Sequence, residues 1–253
     1  MDAVIDQIIA NKPHLADPLR FYEKVRRFTE EVRKLPVSPT SGQIAYPPEL
    51  AVRILDSLST MLDLPEGTLS PLKQAFELRE IDFTRLPLRE VPAFSLPYAE
   101  EDLTMLLFLV SRPYFQALRG ARGFDGPSWE EGKCPVCNAL PALAFLTKDD
   151  RKQLHCSFCG SSGSFTRAQC PFCLHLKPAK SSVLKFAGEE GFSVQTCDEC
   201  QSYLKIVEPE LLSRYGPDLA DLMSLPLDMV IQQKGYKRRS PNPLGMMNMS
   251  ASG

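Results

Sequence analysis

The chain has 253 residues, of which 43% are hydrophobic, so its length allows one large domain or two smaller ones with a sizeable core. A formal net charge of −2 predicts neither a nucleic-acid nor a membrane partner. The longest apolar run, Met105 to Val110, is far shorter than the ~20 residues that a membrane-spanning helix requires. We therefore expect a soluble protein, and eight cysteines spaced in pairs suit a reducing cytoplasm.

Residues 1 to about 125 predict helices. Asp17 and Pro18 form a good helix start, and apolar residues then recur at spacings of four and three until Pro36, where the helix ends. This stripe consists of Phe21, Val25, Phe28, Val32 and Leu35. A second helix is predicted from about Pro48 to Leu62, and a third begins at Ser70.

The end of this half contains a proline-rich segment and its most apolar helix. Residues 81 to 97 predict an extended connection, because their prolines cannot lie inside one helix. The helix from Ala99 to about Leu118 should fill the core of a bundle, and Pro113 is expected to kink or split it. A glycine-rich stretch from Gly120 to Pro127 then marks a domain boundary. Trp129, the only tryptophan, is expected to pack the following region onto the helices, with an exposed docking role as the alternative.

All eight cysteines fall into four C-x-x-C pairs. Two thiolates spaced this way on a tight turn, a knuckle, can point at one tetrahedral cation, because Zn–S bonds of about 2.3 Å need both sulfurs on the same side of the backbone. Two knuckles make one closed four-thiolate site, so four knuckles make two sites with no cysteine left over. The predicted metal ligands are Cys134, Cys137, Cys156, Cys159, Cys170, Cys173, Cys197 and Cys200.

Three other uses of these cysteines are less favoured. The chain is longer than a typical disulfide-stapled module, and we expect no signal peptide. A thioredoxin-like redox motif needs one C-x-x-C that opens a helix after a strand, whereas this chain has four C-x-x-C pairs among turn residues. A catalytic zinc keeps a ligand position open for water, which four thiolates do not. His155 and His175 lie close to cysteines and could replace a ligand, but we expect them to lie around the sites instead.

The gaps between knuckles favour one pairing of the four. The first and third gaps are long enough for a β-hairpin each, whereas the middle gap is short. Strands are predicted at 142–147, 153–155, 181–186 and 192–196. We therefore expect the first knuckle to pair with the second and the third with the fourth, and an interleaved arrangement stays open.

The residue after each knuckle predicts a difference between the sites. Glycine is common there, because the backbone turns to positive φ. Gly160 fits and Asn138 tolerates this conformation, but Leu174 and Gln201 do so poorly. The third and fourth knuckles are expected to be strained, and a site built from both is expected to be the weaker one.

The C-terminal region predicts a strand, a helix and a tail. The strand covers Ser202 to Val207, and the helix covers Asp218 to Gln233, with Pro226 interrupting it or starting its second half. The stretch from Lys234 to Pro243 is basic and proline-containing, and we expect a solvated end, with a fixed extended path as the alternative. Residues 246–253 are expected to be disordered.

The charges of the cysteine region disfavour nucleic-acid binding. Its basic residues slightly outnumber its acidic ones, but eight thiolates and two divalent ions turn the sum negative, which suits phosphate contacts poorly. The sequence contains no recognisable catalytic dyad beside an open metal position, glycine-rich phosphate loop or nucleophile elbow. It therefore predicts a binding protein and not an enzyme.

The order of these motifs closely resembles the bacterial FdhE proteins. The motifs are Cys134-Pro-Val-Cys137, Leu154-His-Cys156-Ser-Phe-Cys159, Cys170-Pro-Phe-Cys173, Thr196-Cys197-Asp-Glu-Cys200, Tyr203-Leu-Lys-Ile206 and Gly235-Tyr-Lys-Arg-Arg-Ser-Pro-Asn-Pro243. The resemblance is specific over residues 134 to 243 and only architectural over the N-terminal half. The sequence departs from the glycine-bearing knuckle pattern at Asn138, Leu174 and Gln201.

FdhE proteins are accessory proteins of formate dehydrogenase biogenesis. The resemblance implies a cytoplasmic protein that contacts the catalytic subunit of formate dehydrogenase during its maturation. It also implies rubredoxin-like metal modules, in which iron has been implicated, with the eight cysteines as ligands.

The combined prediction is an α+β protein. An N-terminal helical bundle (1–125) precedes two small rubredoxin-like or zinc-ribbon metal modules (126–167 and 168–209), and a C-terminal helix with a basic tail follows (210–253). The predicted function is a non-catalytic accessory protein with two iron or zinc ions, in which the cleft between the knuckled loops and the helices grips the immature subunit. The alternatives are a rubredoxin-like redox or oxygen-sensing iron protein and a zinc-ribbon nucleic-acid-binding protein.

Overall fold

The structure, a computed structural model, describes residues 2–33, 39–40, 43–44, 48–81, 96–122, 126, 128–166, 168–176 and 178–249. Its helices are α1 (Asp2–Asn11), α2 (Ala16–Val32), α3 (Pro48–Leu62), α4 (Ser70–Glu77), α5 (Glu100–Arg122), α6 (Pro209–Met223) and α7 (Leu225–Gln233). Its strands are β1 (Pro39–Thr40), β2 (Gln43–Ile44), β3 (Leu143–Leu146), β4 (Lys152–His155), β5 (Ser162–Ser164), β6 (Ser181–Leu184), β7 (Phe192–Cys197) and β8 (Ser202–Val207).

Helices α2 and α3 bury apolar stripes as the sequence predicts, although Leu35 and Pro36, the predicted end of the α2 stripe, lie outside the described residues. The buried residues include Val25, Phe28 and Val32 on α2 and Ile54 and Leu58 on α3. Each such side chain contributes about 1.5–3 kcal/mol when fully buried. Among the described residues, no helix combines the length and apolar character needed to cross a membrane.

Two helix boundaries differ from the prediction, and one predicted segment cannot be compared. A 3₁₀ turn over Pro13–Leu15 leads directly into α2, so Asp17 lies in the first turn, where its charge suits the helix dipole, and does not cap the helix. Helix α5 continues through Pro113 to Arg122, so the proline does not split it. Most of the predicted extended connection, residues 82–95, lies outside the described residues.

The strands of both cysteine-containing regions form one sheet. Its order is β5-β4-β3-β8-β7-β6, and all neighbours are antiparallel except β3 and β8. The parallel pair places Ala144 opposite Ile206 and Phe145 opposite Val207. The prediction of an α+β fold with two cysteine modules after a helical half is therefore confirmed, and the two modules share a continuous six-stranded sheet. The predicted domain boundaries themselves stay predictions.

The C-terminal region differs most from the prediction. Helix α6 begins at Pro209, nine residues before the predicted start at Asp218, and its backbone leaves helical geometry at Gly216 (φ 72°, ψ 169°). Pro226 lies in the first turn of α7, so it starts a second helix as one of the two alternatives predicted.

The basic tail is not a solvated end, so this prediction is wrong. Arg238, Asn242 and Leu244 are buried, at 7%, 0% and 1% relative exposure. Disorder from residue 246 is also wrong for the described part, because the backbone N–H of Met249 donates to Gln232 Oε1 at 2.7 Å. Buried charge pairing, described below, explains why this stretch is held.

Candidate metal centres

The first knuckle pair brings four sulfurs together in the protein interior. Cys134 Sγ lies 3.5 Å from Cys159 Sγ, and Cys137 Sγ lies 3.5 Å from Cys156 Sγ. All four ligand atoms lie within 4.8 Å of one another, and all four residues are buried. A tetrahedral ion with M–S bonds of about 2.3 Å has S···S edges of roughly 3.8 Å, so this donor set fits one ion.

The backbone of these knuckles explains how short turns aim two sulfurs at one point. Cys134 N–H donates to Ala139 O at 2.8 Å, and Asn138 N–H donates to Cys134 O at 2.7 Å. The second knuckle repeats this arrangement, with Cys156 and Gly160 as donors. Asn138 and Gly160 have positive φ values of 62° and 73°, as predicted for the residue after the second cysteine.

Neighbouring groups set the charge state of the first cluster. Ser161 Oγ lies 3.0 Å from both Cys134 Sγ and Cys159 Sγ, so its hydroxyl can donate to a thiolate. Hydrogen bonds from the thiols of Cys137 and Cys156 lower the pKa of Cys134, whereas burial raises the pKa of Cys156. Four thiolates cannot coexist there without a cation, so the cluster favours a divalent ion.

Helix α5 packs directly on the first cluster. The Phe158 ring, inside the second knuckle, meets Phe108 edge-on at 4.9 Å and Phe115 at 5.9 Å between ring centroids. Arg119 Nη1 donates to the carbonyl of Gly160 at 2.8 Å. Trp129 is fully buried, which agrees with its predicted packing role. The first cluster is thus part of the interface between helices and sheet.

The second knuckle pair forms a similar cluster that is closer to solvent. Cys170 Sγ lies 3.8 Å from Cys200 Sγ, and Cys173 Sγ lies 3.7 Å from Cys197 Sγ. These four ligand atoms also lie within 4.8 Å of one another. Cys173, however, is exposed and Cys200 is half-buried. The structure therefore groups the cysteines in sequential order, first knuckle with second and third with fourth.

The third and fourth knuckles lack glycine where the backbone turns. Leu174 and Gln201 have φ values of 58° and 49°, in the left-handed region that the sequence predicts to be unfavourable for them. The same N–H donations recur in the third knuckle, from Cys170 to His175 O at 3.0 Å and from Leu174 to Cys170 O at 2.9 Å. In the fourth, Cys197 and Ser202 are register partners in the hairpin of β7 and β8.

Close backbone packing joins the first cluster's region to the third knuckle. Gly132 has φ 67°, and a Cβ atom at this position would lie 2.0 Å from the carbonyl oxygen of Pro171. Only glycine fits such an approach. The inner part of the third knuckle is therefore anchored, although its outer part is exposed.

The two histidines near the cysteines belong to neither cluster. His155 Nδ1 lies 2.9 Å from Ser162 Oγ, and burial lowers the pKa of His155 to about 4, so its ring is neutral at pH 7. This arrangement agrees with the predicted place of the histidines around the sites.

A buried ion network below the sheet was missed in the sequence. Lys205 Nζ lies 2.5 Å from carboxylate oxygens of both Asp221 and Asp228, and Arg238 lies 2.6 Å from Asp221 and 3.0 Å from Asp228. Tyr203 OH donates to Asp228 at 2.6 Å. All four ionic side chains are buried, and their charges balance. The network joins β8, α6, α7 and the C-terminal stretch.

The C-terminal strap, residues Tyr236 to Arg239, continues from this network to the fourth knuckle. Lys237 N–H donates to Gln201 O at 2.8 Å, and Arg239 Nη2 donates to Cys200 O at 2.9 Å. Tyr236 OH donates to Asp198 Oδ1 at 2.6 Å. The only sequence signal for this strap is the basic stretch itself. Such a stretch is as compatible with a solvated tail as with one that contacts the fourth knuckle.

Comparisons with known proteins agree with the cysteine pattern. Residues 154–245 match the family model described as "FdhE, C-terminal domain". The "Protein FdhE homolog" of Aquifex aeolicus (strain VF5) is 27% identical over 150 residues, 57% of this chain and 53% of the relative. That of Haemophilus ducreyi is 34% identical over 121 residues, 45% of this chain and 38% of the relative. The matches thus span about half of these relatives' length or less.

A solved structure shows the same fold. It is titled "The crystal structure of the FdhE protein from Pseudomonas aeruginosa". The similarity has a TM-score of 0.65 at 21% sequence identity and covers 95% of this chain and 92% of that chain.

Proposed function

We propose that the chain is a non-catalytic accessory protein of formate dehydrogenase maturation, because residues 154–245 match the family model of the FdhE C-terminal domain, in agreement with the resemblance seen in its motifs. In this role it holds a metal ion in each four-cysteine cluster and binds the catalytic subunit of formate dehydrogenase. The match over residues 154–245 carries the proposal, since it includes the second to fourth knuckles and the C-terminal strap.

The geometry of the clusters supports binding and not catalysis. Each cluster offers one sulfur from each of four cysteines, and four thiolates complete a tetrahedral ion. A closed set leaves no position for water or substrate. Both Zn²⁺ and iron accept four thiolates in this geometry, and the bound ion would supply cross-links that hold the knuckled loops in place.

The contacts of the first cluster support a fixed relation between the helical half and the sheet. Phe158 and Gly160 of the second knuckle meet α5, and Arg112 of α5 binds Asp218 of α6 at 2.5 Å. A client subunit gripped between knuckled loops and helices would therefore meet a preorganised surface, which reduces the entropic cost of binding.

Binding of the client can be tested with purified components. The immobilised catalytic subunit should retain the zinc-loaded or iron-loaded protein under reducing, anaerobic conditions. Leu176→Asp and Val183→Asp place charges at apolar side chains 58% and 60% exposed on the loop and strand that follow the third knuckle, and they should weaken retention. Leu78→Asp, at a 61% exposed leucine, is the matched control and should not. Absence of retention for the unaltered protein would refute the proposal, whatever the variants do.

A redox role is the second candidate, and the exposure of Cys173 favours it. An iron ion held by the second cluster would lie near solvent, where a rubredoxin-like centre could pass an electron or sense oxygen. Metal content and the visible spectrum of anaerobically purified protein separate the two candidates. Iron with absorption that bleaches on reduction supports the redox role, whereas zinc alone refutes it, because Zn²⁺ has no redox chemistry.

A further inference from the structure

The two clusters differ in burial, hydrogen bonding and backbone strain, and this difference has a functional consequence. We infer that the second cluster is the site at which metal is exchanged, while the first cluster keeps its ion as a permanent part of the fold. This inference rests on the proposal that both clusters hold metal. It assigns an exchange role to one site and a structural role to the other, although both have the same four-thiolate ligand chemistry.

Among the described residues, the ligands of the first cluster are almost fully shielded from solvent. Cys134, Cys156 and Cys159 are 0–1% exposed and Cys137 is 8% exposed. Phe158 lies between the ligands Cys156 and Cys159 in the sequence, so opening of this knuckle would disturb its aromatic contacts with α5. The Ser161 hydroxyl also stabilises two of the thiolates while the ion is bound.

The second cluster has one exposed ligand, and the backbone beside it is strained. Cys173 is exposed, and the side chain of the next residue, Leu174, is 40% exposed. Leu174 has φ 58°, a conformation that a residue with a side chain adopts at a cost, so relaxation of this turn favours detachment of Cys173. A chelating ligand can therefore enter at Cys173 before the other three thiolates are released.

Contacts with the rest of the fold hold the fourth knuckle and the Pro171 side of the third knuckle. The second cluster is therefore expected to open at Cys173. Gln201 is also strained, but the strap contacts its carbonyl and that of Cys200 through Lys237 and Arg239. Pro171, the other side of the third knuckle, packs against Gly132. Opening at Cys173 thus leaves Cys170, Cys197 and Cys200 as a three-thiolate site that can take the ion back.

The experiment uses the full chain loaded with two equivalents of Zn²⁺ and an excess of a chromogenic chelator. Release should show two phases of one ion each, the first about tenfold faster, the factor that one strained residue of this kind is worth. Native mass spectrometry should find a one-zinc protein between the phases. Cys173→Ser should speed the fast phase further, because three thiolates hold the ion less well than four, and should leave the slow phase unchanged.

Two further variants test the cause without removing a ligand. Leu174→Gly relieves the strained φ and loses little packing, so it should slow the fast phase several-fold. Asn138→Gly, the equivalent change at the first cluster, should leave the fast phase unchanged. Release of both ions at one rate, or an unaltered fast phase in both Cys173→Ser and Leu174→Gly, would overturn the inference. Uptake of fewer than two ions would instead overturn the proposed function.

Discussion

Replacing Arg238 with methionine tests whether the buried ion network holds the C-terminal strap. Arg238→Met leaves Asp221 and Asp228, both buried, with Lys205 as their one remaining cationic partner in the network, so a net negative charge stays in the interior. Removing one partner of a buried ion pair costs about 3–5 kcal/mol. That is a large fraction of the 5–15 kcal/mol that typically stabilises a folded domain.

Urea unfolding of the zinc-loaded protein measures this cost, with Trp129 as the fluorescent probe because it is the only tryptophan and is fully buried. Arg151→Met is the matched control, since Arg151 is 75% exposed and its pair with Asp149 is worth at most about 1 kcal/mol. A decrease of less than about 1 kcal/mol in the free energy of unfolding for Arg238→Met would refute the reasoning, because removing one of the two cations that face a buried carboxylate pair should cost several times more.

A second substitution separates charge from packing. Asp221→Asn in the Arg238→Met background restores one cation and one carboxylate, so we expect it to recover at least ~1 kcal/mol, although the same change alone destabilises. Burial raises the pKa of Asp221, but Arg238 and Lys205 outweigh it and hold the pKa below its usual value. The network therefore stabilises the protein above pH ~4, the pKa of an unfolded aspartate, and the cost of Arg238→Met should shrink as pH falls further.

Three more substitutions test individual contacts. Cys134→Ser should lose one of two zinc ions and lower the melting temperature strongly, since such a site contributes on the order of 10 kcal/mol; retention of both ions would show that Cys134 is not a ligand. Phe158→Ala should cost about 3–5 kcal/mol in urea unfolding, and an unchanged midpoint would mean that α5 does not rest on this ring. Gly132→Ala should destabilise the protein far more than Gly188→Ala, because both glycines have positive φ but only a Cβ atom at position 132 would clash with the Pro171 carbonyl. Equal losses of stability would mean that the unfavourable φ, and not this clash, accounts for the cost.

The features that could be predicted from the sequence are local in the chain. A C-x-x-C turn fixes where two sulfurs point, and a hairpin-length gap brings the next turn beside it, so spacing favoured the observed grouping of the cysteines over the interleaved alternative. The apolar stripes of α2 and α3 follow from helical periodicity in the same way. Even the positive φ at Leu174 and Gln201 could be anticipated, because the knuckle demands it of whatever residue is present.

The features that could not be predicted depend on distant partners. Strand β5 is only Ser-Gly-Ser, which has no strand signal of its own, and it forms because β4 offers a free edge. The pairing of β3 with β8 joins residues that are far apart in sequence. From the sequence alone, Arg238 is predicted to be a solvated cation. Its partners Asp221 and Asp228 lie on two different helices, and only the fold places them beside it.

Strand β8 links the features that sequence spacing could not connect. It begins at Ser202, next to the fourth knuckle, and pairs with β3 of the first module. It also carries Lys205 into the ion network, which in turn anchors the strap that returns to the carbonyls of Cys200 and Gln201. The fourth knuckle would therefore stay fixed by the core without a bound ion, whereas the exposed outer edge of the third knuckle would depend on the proposed ion. Under the inferred exchange at the second cluster, this asymmetry would let metal leave without unfolding the sheet that both clusters share.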